Sequence, residues 1–227
     1  MKTNFKILAL LFVAAFSSCS SDDSGDSNGT TTGNYFPMAV GNQWNYTNGS
    51  TTTQSRLIGT TTFGNTTYYE SDDTGAELDI QNWVAKKGAS YFQKAGDTTF
   101  NQSGTTIVMQ GYELRILRDD IAVGESWTGS ASPKVTYSGS GVSGSFKAKV
   151  NYEGTILAKD VSETLNGVVF NNIIKVGLHA VVNSNGQINT IDSEYWFAKD
   201  IGMIKEVETS TVDNITKTRT ITSYSLN

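Results

Sequence analysis

Residues 146–158 read FKAKVNYEGTILA, and this stretch decides the fold class. The even positions carry apolar or small side chains, whereas the odd positions from 147 to 155 are polar. A period of two residues places alternate side chains on opposite faces of an extended chain. The stretch therefore predicts one long β-strand, with a buried face formed by Phe146, Ala148, Val150, Tyr152, Gly154, Ile156 and Ala158.

The segments around this strand carry the same signal. Residues 168–182 alternate in the same way, and the turn NSNG at 183–186 leads into 188–197, which is the layout of a β-hairpin. Further strands are predicted at 51–62, 66–71, 98–102, 105–117, 203–212 and 215–226. We therefore expect an all-β chain with a single antiparallel β domain. It would form a curved sheet or an incomplete barrel similar to lipoprotein carriers and lipocalins, with a β-sandwich as the alternative.

The segment 74–94 allows two interpretations. Thr74 and Glu77 could form a capping box for a helix that ends near Gly88. Residues 83–86 and 91–94 could instead flank a turn at 87–89 and form a β-hairpin. We favour the hairpin.

Two six-residue segments share the pattern Ala-Val-Gly-x-x-Trp, at 39–44 and at 122–127. Each could be a turn that delivers a tryptophan into the start of a strand. A six-residue similarity does not establish a duplication, and it only slightly raises the odds of two related halves within the domain.

The N-terminus predicts a lipid anchor. Lys2 and Lys6 precede an apolar run at 7–16, which has the layout of a signal peptide and is too short to span a bilayer. The sequence Phe-Ser-Ser-Cys at 16–19 resembles a lipobox, in which the cysteine is lipidated. Cys19 is the only cysteine, so disulfides within the chain are excluded. We expect a lipoprotein signal peptide at 1–18, a flexible acidic and Ser/Thr/Gly-rich tether at 19–33, and the β domain at 34–227.

Charge and sorting signals narrow the location and the partners. Loss of the two signal-peptide lysines lowers the formal net charge from −5 to −7, and the basic residues are scattered, which argues against nucleic acid. Ser20 is not the aspartate that retains enteric lipoproteins at the inner membrane. The acidic residues that follow it resemble the export tags of surface lipoproteins in the Bacteroidota. We therefore expect a cell-envelope lipoprotein of the outer membrane, held by its acyl chains. The sequence leaves open whether it faces the periplasm or the cell surface.

Two further segments, YFPMAVGNQWNY at 35–46 and YWFAKDIGMIK at 195–205, extend the resemblance. Together they are similar to a widespread group of uncharacterised lipoproteins and secreted proteins of the Bacteroidota. The match is confined to the two ends of the domain. It implies a shared architecture and no activity.

The sequence contains few residues that could support catalysis. His179 is the only histidine, and its place opposite an apolar strand face predicts a surface position. Glu206 and Glu208 share one strand face, which we interpret as a solvated sheet face or as protection of a sheet edge. No spacing predicts a metal site, a nucleotide site or an activated nucleophile. We therefore expect a non-enzymatic protein without metal or cofactor.

The aromatic residues are the best candidates for binding. Trp44, Trp83, Trp127 and Trp196 could line a ligand-binding concavity, with core packing as the alternative. Thr98, in Asp-Thr-Thr, resembles a Bacteroidota O-glycosylation site. We expect a binding module for a lipid, a glycan or a protein partner. A structural or assembly lipoprotein of the envelope is the alternative, and a carbohydrate-active enzyme is the least favoured.

Overall fold

The computed structural model describes residues 29–74, 80–139, 141–211 and 214–227. Within these ranges every regular element is a β-strand, and no helix is long and apolar enough to cross a membrane. The strands are β1(Gln43–Thr47), β2(Thr52–Phe63), β3(Thr66–Thr74), β4(Asn82–Lys87), β5(Ser90–Ala95), β6(Thr98–Gln102), β7(Thr105–Met109), β8(Glu113–Arg118), β9(Ser126–Ala131), β10(Lys134–Gly139), β11(Val142–Lys147), β12(Lys149–Leu165), β13(Val168–Ser184), β14(Gln187–Ala198), β15(Gly202–Ser210) and β16(Thr216–Ser225).

Twelve of these strands form one antiparallel sheet in the order β8-β5-β4-β3-β2-β1-β16-β15-β14-β13-β12-β9. The other four form a small sheet in the order β11-β10-β7-β6. The large sheet curves until its two edge strands, β8 and β9, lie beside each other and enclose one apolar core. The predicted antiparallel domain and its incomplete barrel are thereby confirmed, and the β-sandwich alternative is not adopted.

The line along which β8 meets β9, here called the seam, is held by side chains. The Arg115 amide on β8 donates to the Tyr152 hydroxyl at 3.0 Å, and the Trp127 indole donates to the Arg115 carbonyl at 3.1 Å. All three residues are buried. These two bonds replace the ladder hydrogen bonds that β8 and β9 do not form with each other. Without them, each unpaired buried backbone group of Arg115 would cost about 1–3 kcal/mol.

Two glycines make room for the seam aromatics. Tyr152 is the cross-strand partner of Gly129, and Gly154 is the partner of Trp127. A Cβ atom at either glycine would overlap the aromatic ring of its partner. The glycines are therefore needed for close approach, since only a missing side chain lets each ring lie over the neighbouring backbone.

The small sheet closes one end of the seam with backbone bonds. Strand β7 is followed along the chain by β8, β9 is followed by β10, and β7 pairs with β10. The Gln110 amide extends this pairing by donating to the Lys134 carbonyl at 2.9 Å. The hairpins β6–β7 and β10–β11 thus fasten the barrel where β8 and β9 themselves do not pair.

The strand predicted at 146–158 is divided between the two sheets. Strand β11 ends at Lys147, Ala148 is fully buried, and β12 begins at Lys149. The extended chain continues through Ala148, so the alternation persists although its hydrogen-bond partners change from β10 to β9 and β13. The two-residue alternation shows which face of a strand is buried, but it does not show to which sheet the strand belongs.

The hairpin favoured for the ambiguous segment 74–94 is present as β4–β5, with its turn at Gly88 and Ala89. Glu77 of the alternative capping box lies outside the described residues. The predicted hairpins β13–β14 and β15–β16 are also present.

The two Ala-Val-Gly-x-x-Trp segments, residues 39–44 and 122–127, form the same turn. In each, the residue after the glycine donates its amide to the alanine carbonyl at 3.1 Å, and the glycines have φ of 96° and 84°. The glycine amides donate to Leu57 and Ile156 on the adjacent strands, at 2.7 and 2.8 Å. Each turn delivers a buried tryptophan into the second position of a strand, β1 or β9, as predicted.

The strand order also fixes which loops share an end of the barrel. Neighbouring strands of the large sheet are antiparallel, so strands at alternate places in the order run in the same direction. The segment before β1, the loop from β8 to β9, and the turns β2–β3, β4–β5 and β14–β15 therefore lie at one end. We call residues 29–42 the strap and this end the strap end.

We expect Gly154→Ala to destabilise the domain by roughly 2–4 kcal/mol, because its methyl group would displace Trp127 from the seam. Gly59→Ala on β2 is the matched control, since a Cβ atom there meets nothing within 4 Å. The control should change the free energy of unfolding by less than about 1 kcal/mol. Urea unfolding followed by tryptophan fluorescence measures both, and equal stability of the two variants would contradict the role of the seam.

Candidate functional site

The strap is bound to the barrel by a buried carboxylate at the end of the seam. Asp119, whose side chain is fully buried, lies just after β8. It accepts hydrogen bonds from the Thr31 hydroxyl at 2.5 Å and the Thr32 amide at 3.2 Å, and its carbonyl accepts from the Thr32 hydroxyl at 2.8 Å. The loop that joins the two seam strands is therefore also the anchoring point of the strap.

Two side chains from β4 and β5 complete this contact. The Tyr91 hydroxyl donates to the Gly33 carbonyl at 2.9 Å and accepts from the Tyr35 amide at 3.0 Å. Lys86 donates to the same Gly33 carbonyl at 2.7 Å, and its ammonium lies 3.7 Å from the Asp119 carboxylate. Burial raises the pKa of Tyr91 and lowers that of Lys86, where it outweighs the nearby carboxylate.

The opposite side of the strap is held by the β14–β15 turn. Lys199 donates to the Thr32 carbonyl at 3.1 Å, and the Asp200 amide donates to the Asn34 carbonyl at 2.6 Å. The contacts of the domain thus extend into residues 29–33 of the predicted tether, 19–33. Residues 19–28 lie outside the described part of the chain.

A groove opens between the strap and the β2–β3 hairpin. It has a volume of about 610 Å³, is open to solvent, and lies at the strap end of the barrel. Its walls are Asn34, Phe36, Met38, Asn65, Thr66, Thr67, Tyr69, Lys86 and Lys87. We call it the strap groove. Its volume is in the range of roughly 300–1,000 Å³ that is common for ligand sites.

A second polar group of residues lies on the inner face of the barrel. Arg219 forms an ion pair with Glu206 and lies 5.1 Å from the ring centroid of Tyr46. Burial lowers the pKa of Arg219, but Glu206 and other negative groups more than compensate and raise it. Glu208, on the same face, is only 7% exposed. The expectation that Glu206 and Glu208 line a solvated face is therefore wrong: both point toward the interior, where Arg219 balances part of their charge.

The four tryptophans are all buried and do not meet in one concavity. Trp44 donates to the Ile201 carbonyl at 2.6 Å and Trp127 closes the seam. Trp83 packs edge-on against Phe63 in a separate cluster on the other sheet face, with ring centroids 5.2 Å apart. These contacts favour the packing alternative for the three residues.

Trp196 lies on the outer face, yet it is only 9% exposed. The ammonium groups of Lys175 and Lys205 lie 3.7 and 4.2 Å from its ring centroid, and its indole donates to Glu194 at 2.5 Å. Glu163, near the tip of the β12–β13 hairpin, pairs with Lys175 at 2.5 Å. The tryptophan is therefore enclosed by charged side chains.

The remaining predicted residues fall in separate places. Thr98 is 6% exposed with its hydroxyl buried, so the folded domain does not present it for O-glycosylation. His179 lies on the surface, as predicted, and pairs with Asp192 at 2.6 Å. Cys19 precedes the described residues. Within the described ranges no group of three or more His, Cys, Asp or Glu residues could hold a metal ion.

No signal in the sequence singled out the residues of the strap groove. Phe36 and Met38 lie in the segment YFPMAVGNQWNY, which drew attention to its tryptophan instead. Tyr69 and Asn65 come from a different hairpin, and no spacing in the sequence joins them to the strap. The one usable signal was the position of Phe36-Pro37-Met38 just after a polar tether.

Two solved structures are similar to this chain. One, from Bacteroides fragilis, is provisionally described as an exported protein with a YmcC-like fold; it has a TM-score of 0.48 and 9% identity, and the match covers 84% of this chain and 98% of that chain. The other, from Parabacteroides distasonis, is provisionally described as a lipoprotein; it has a TM-score of 0.49 and 11% identity, with the same coverage. No family model and no curated protein matches the chain. Sequence identities this low do not indicate a shared ligand or a shared activity.

We expect Asp119→Ala to destabilise the domain by roughly 2–4 kcal/mol, because the Thr31 hydroxyl and the Thr32 amide of the strap would lose a buried acceptor. Asp192→Ala removes an exposed carboxylate and is the control, with an expected change below about 1 kcal/mol. Hydrogen exchange at the Thr32 amide should accelerate in the first variant alone. Unchanged exchange there would show that Asp119 does not hold the strap.

Proposed function

We propose that this chain is an outer-membrane lipoprotein, anchored through Cys19, whose β domain is a non-enzymatic binding module with the strap groove as its ligand site. The observation that carries the proposal is the groove itself, which has the volume of a ligand site and a mixed apolar and polar wall. The proposed location rests on two features of the sequence. Ser20 favours the outer membrane, and the acidic residues that follow it favour its outer face.

The groove lies close to the proposed anchor along the chain. The strap forms one wall of the groove and begins at Gly29, ten residues after Cys19. Ten residues span at most about 35 Å when fully extended. A ligand in the groove would therefore be held within a few nanometres of the membrane surface.

A binding role fits the groove better than catalysis. Its walls offer amides, hydroxyls and two lysines that are engaged elsewhere, and His179 lies outside it, on the surface. Catalysis by an activated nucleophile or a general base would require a histidine or a similar basic side chain within hydrogen-bond reach of a bound substrate.

A structural or assembly role in the envelope is the second candidate. It is favoured by Val168 and Val169 at the start of β13, which are 52% and 60% exposed. Adjacent aliphatic side chains of this kind suit a protein contact. In-cell cross-linking that yields a stable adduct through this hairpin, with an empty groove, would support it.

The binding proposal predicts that the mature chain retains a ligand from envelope extracts. We use residues 20–227, which contain every residue that the structure describes. Native mass spectrometry should show an adduct, and Tyr69→Ala should weaken it because the variant removes part of the groove wall. Tyr224→Ala, which removes an exposed tyrosine outside the groove, is the control. An unmodified mass after every extract would refute the proposal.

The anchor is tested separately. We expect Cys19→Ala to abolish metabolic incorporation of an alkyne-labelled fatty acid, because no other cysteine is available for the thioether. Ser20→Ala is the control and should keep the label. Labelling of the Cys19→Ala chain would contradict lipidation at this residue.

A further inference from the structure

We propose that the ligand of the strap groove is a neutral, hydroxyl-rich saccharide and not an anionic lipid. This inference rests on the proposed binding function. It follows from a division among the polar groups of the groove: the charged ones are already paired, whereas the uncharged ones are free.

The positive charge of each groove lysine is already balanced by a carboxylate. The Lys87 ammonium donates to Glu113 at 2.7 Å and lies 4.2 Å from the ring centroid of Phe92. The Lys86 ammonium donates to Thr31 and Gly33 and lies 3.7 Å from the buried Asp119. Because each ammonium already has a carboxylate nearby, charge alone gives an anionic ligand little advantage over a neutral one.

The uncharged polar side chains of the groove, unlike the lysines, are not paired within the protein. Among the described residues, the side-chain amides of Asn34 and Asn65 and the hydroxyls of Thr66, Thr67 and Tyr69 make no hydrogen bond within the protein and are open to solvent. Amides and hydroxyls both donate and accept, as sugar hydroxyls do. The groove therefore offers a set of unused neutral partners that matches a polyol.

The apolar part of the wall is aromatic and small. Phe36 and Tyr69 are half-buried and contribute their rings, and Met38 lies beside them. Phe36 is held in place by Trp44, with ring centroids 5.0 Å apart. The C–H face of a sugar ring can pack on such a ring while its hydroxyls reach the amides. A long acyl chain would need a deeper and more continuous apolar surface than these three side chains provide.

The test compares three probes prepared from the envelope of the producing cell: neutral glycans, acidic glycans and a total lipid extract. Each is added to residues 20–227, and adducts are measured by native mass spectrometry, with affinities by isothermal titration calorimetry. We expect an adduct from the neutral glycans, with an affinity that changes less than about twofold between 0.05 and 0.5 M NaCl, since no net charge is involved.

Three variants connect that binding to the groove. Tyr69→Ala should weaken it about tenfold, or about 1.4 kcal/mol, through loss of one ring face and one hydroxyl. Asn34→Ala, at an exposed strap position that does not endanger folding, should weaken it about threefold. Tyr224→Ala should leave it unchanged.

The outcomes separate this inference from the proposed function. An adduct only from acidic glycans or lipid, weakened by salt, would overturn the saccharide and leave a binding module in place. A neutral-glycan adduct that survives both Tyr69→Ala and Asn34→Ala would place the site elsewhere and overturn the inference. No adduct from any of the three probes would overturn both proposals.

Discussion

Both backbone groups of Arg115 are satisfied by aromatic side chains, and the architecture depends on this contact. A twelve-stranded sheet that curves around a core brings its edges together, and unpaired backbone groups at a buried edge are costly. Tyr152 and Trp127 satisfy these groups on β8, because the Tyr152 hydroxyl accepts from the Arg115 amide and the Trp127 indole donates to the Arg115 carbonyl. Their partners in the β9–β12 ladder must be glycines, because any side chain there would occupy the same space. The barrel is thus closed by specific bonds where its ladder is not continuous.

The candidate site follows from that closure. The loop between the two seam strands carries Asp119, and this buried carboxylate binds the strap. Once bound, the strap brings Phe36 and Met38 opposite the β2–β3 hairpin and creates the groove. A change at the seam would therefore reach the groove through one loop. The segment that leads toward the proposed anchor is also a wall of the proposed ligand site, which couples attachment and binding in one element.

Charge is handled differently in the interior and in the groove. Inside the barrel, Arg219 and Glu206 pair on the inner face beside Tyr46, where burial would make either charge alone unfavourable. At the groove, the lysines are bound to Asp119 and Glu113, and the neutral amides and hydroxyls face solvent. The same rule, that a charge near the core needs a partner, leaves only uncharged groups free for a ligand.

The sequence by itself determined the all-β class, the hairpins after residue 168 and the turns that precede Trp44 and Trp127, because a two-residue period and turn residues are local signals. It also predicted a surface position for His179. Only the tertiary structure decided that 146–158 serves two sheets, that Glu206 and Glu208 face inward, and that the tryptophans pack separately. It alone decided the seam and the strap groove, since both join residues far apart in the chain, and periodicity shows that a face is buried without showing what lies against it.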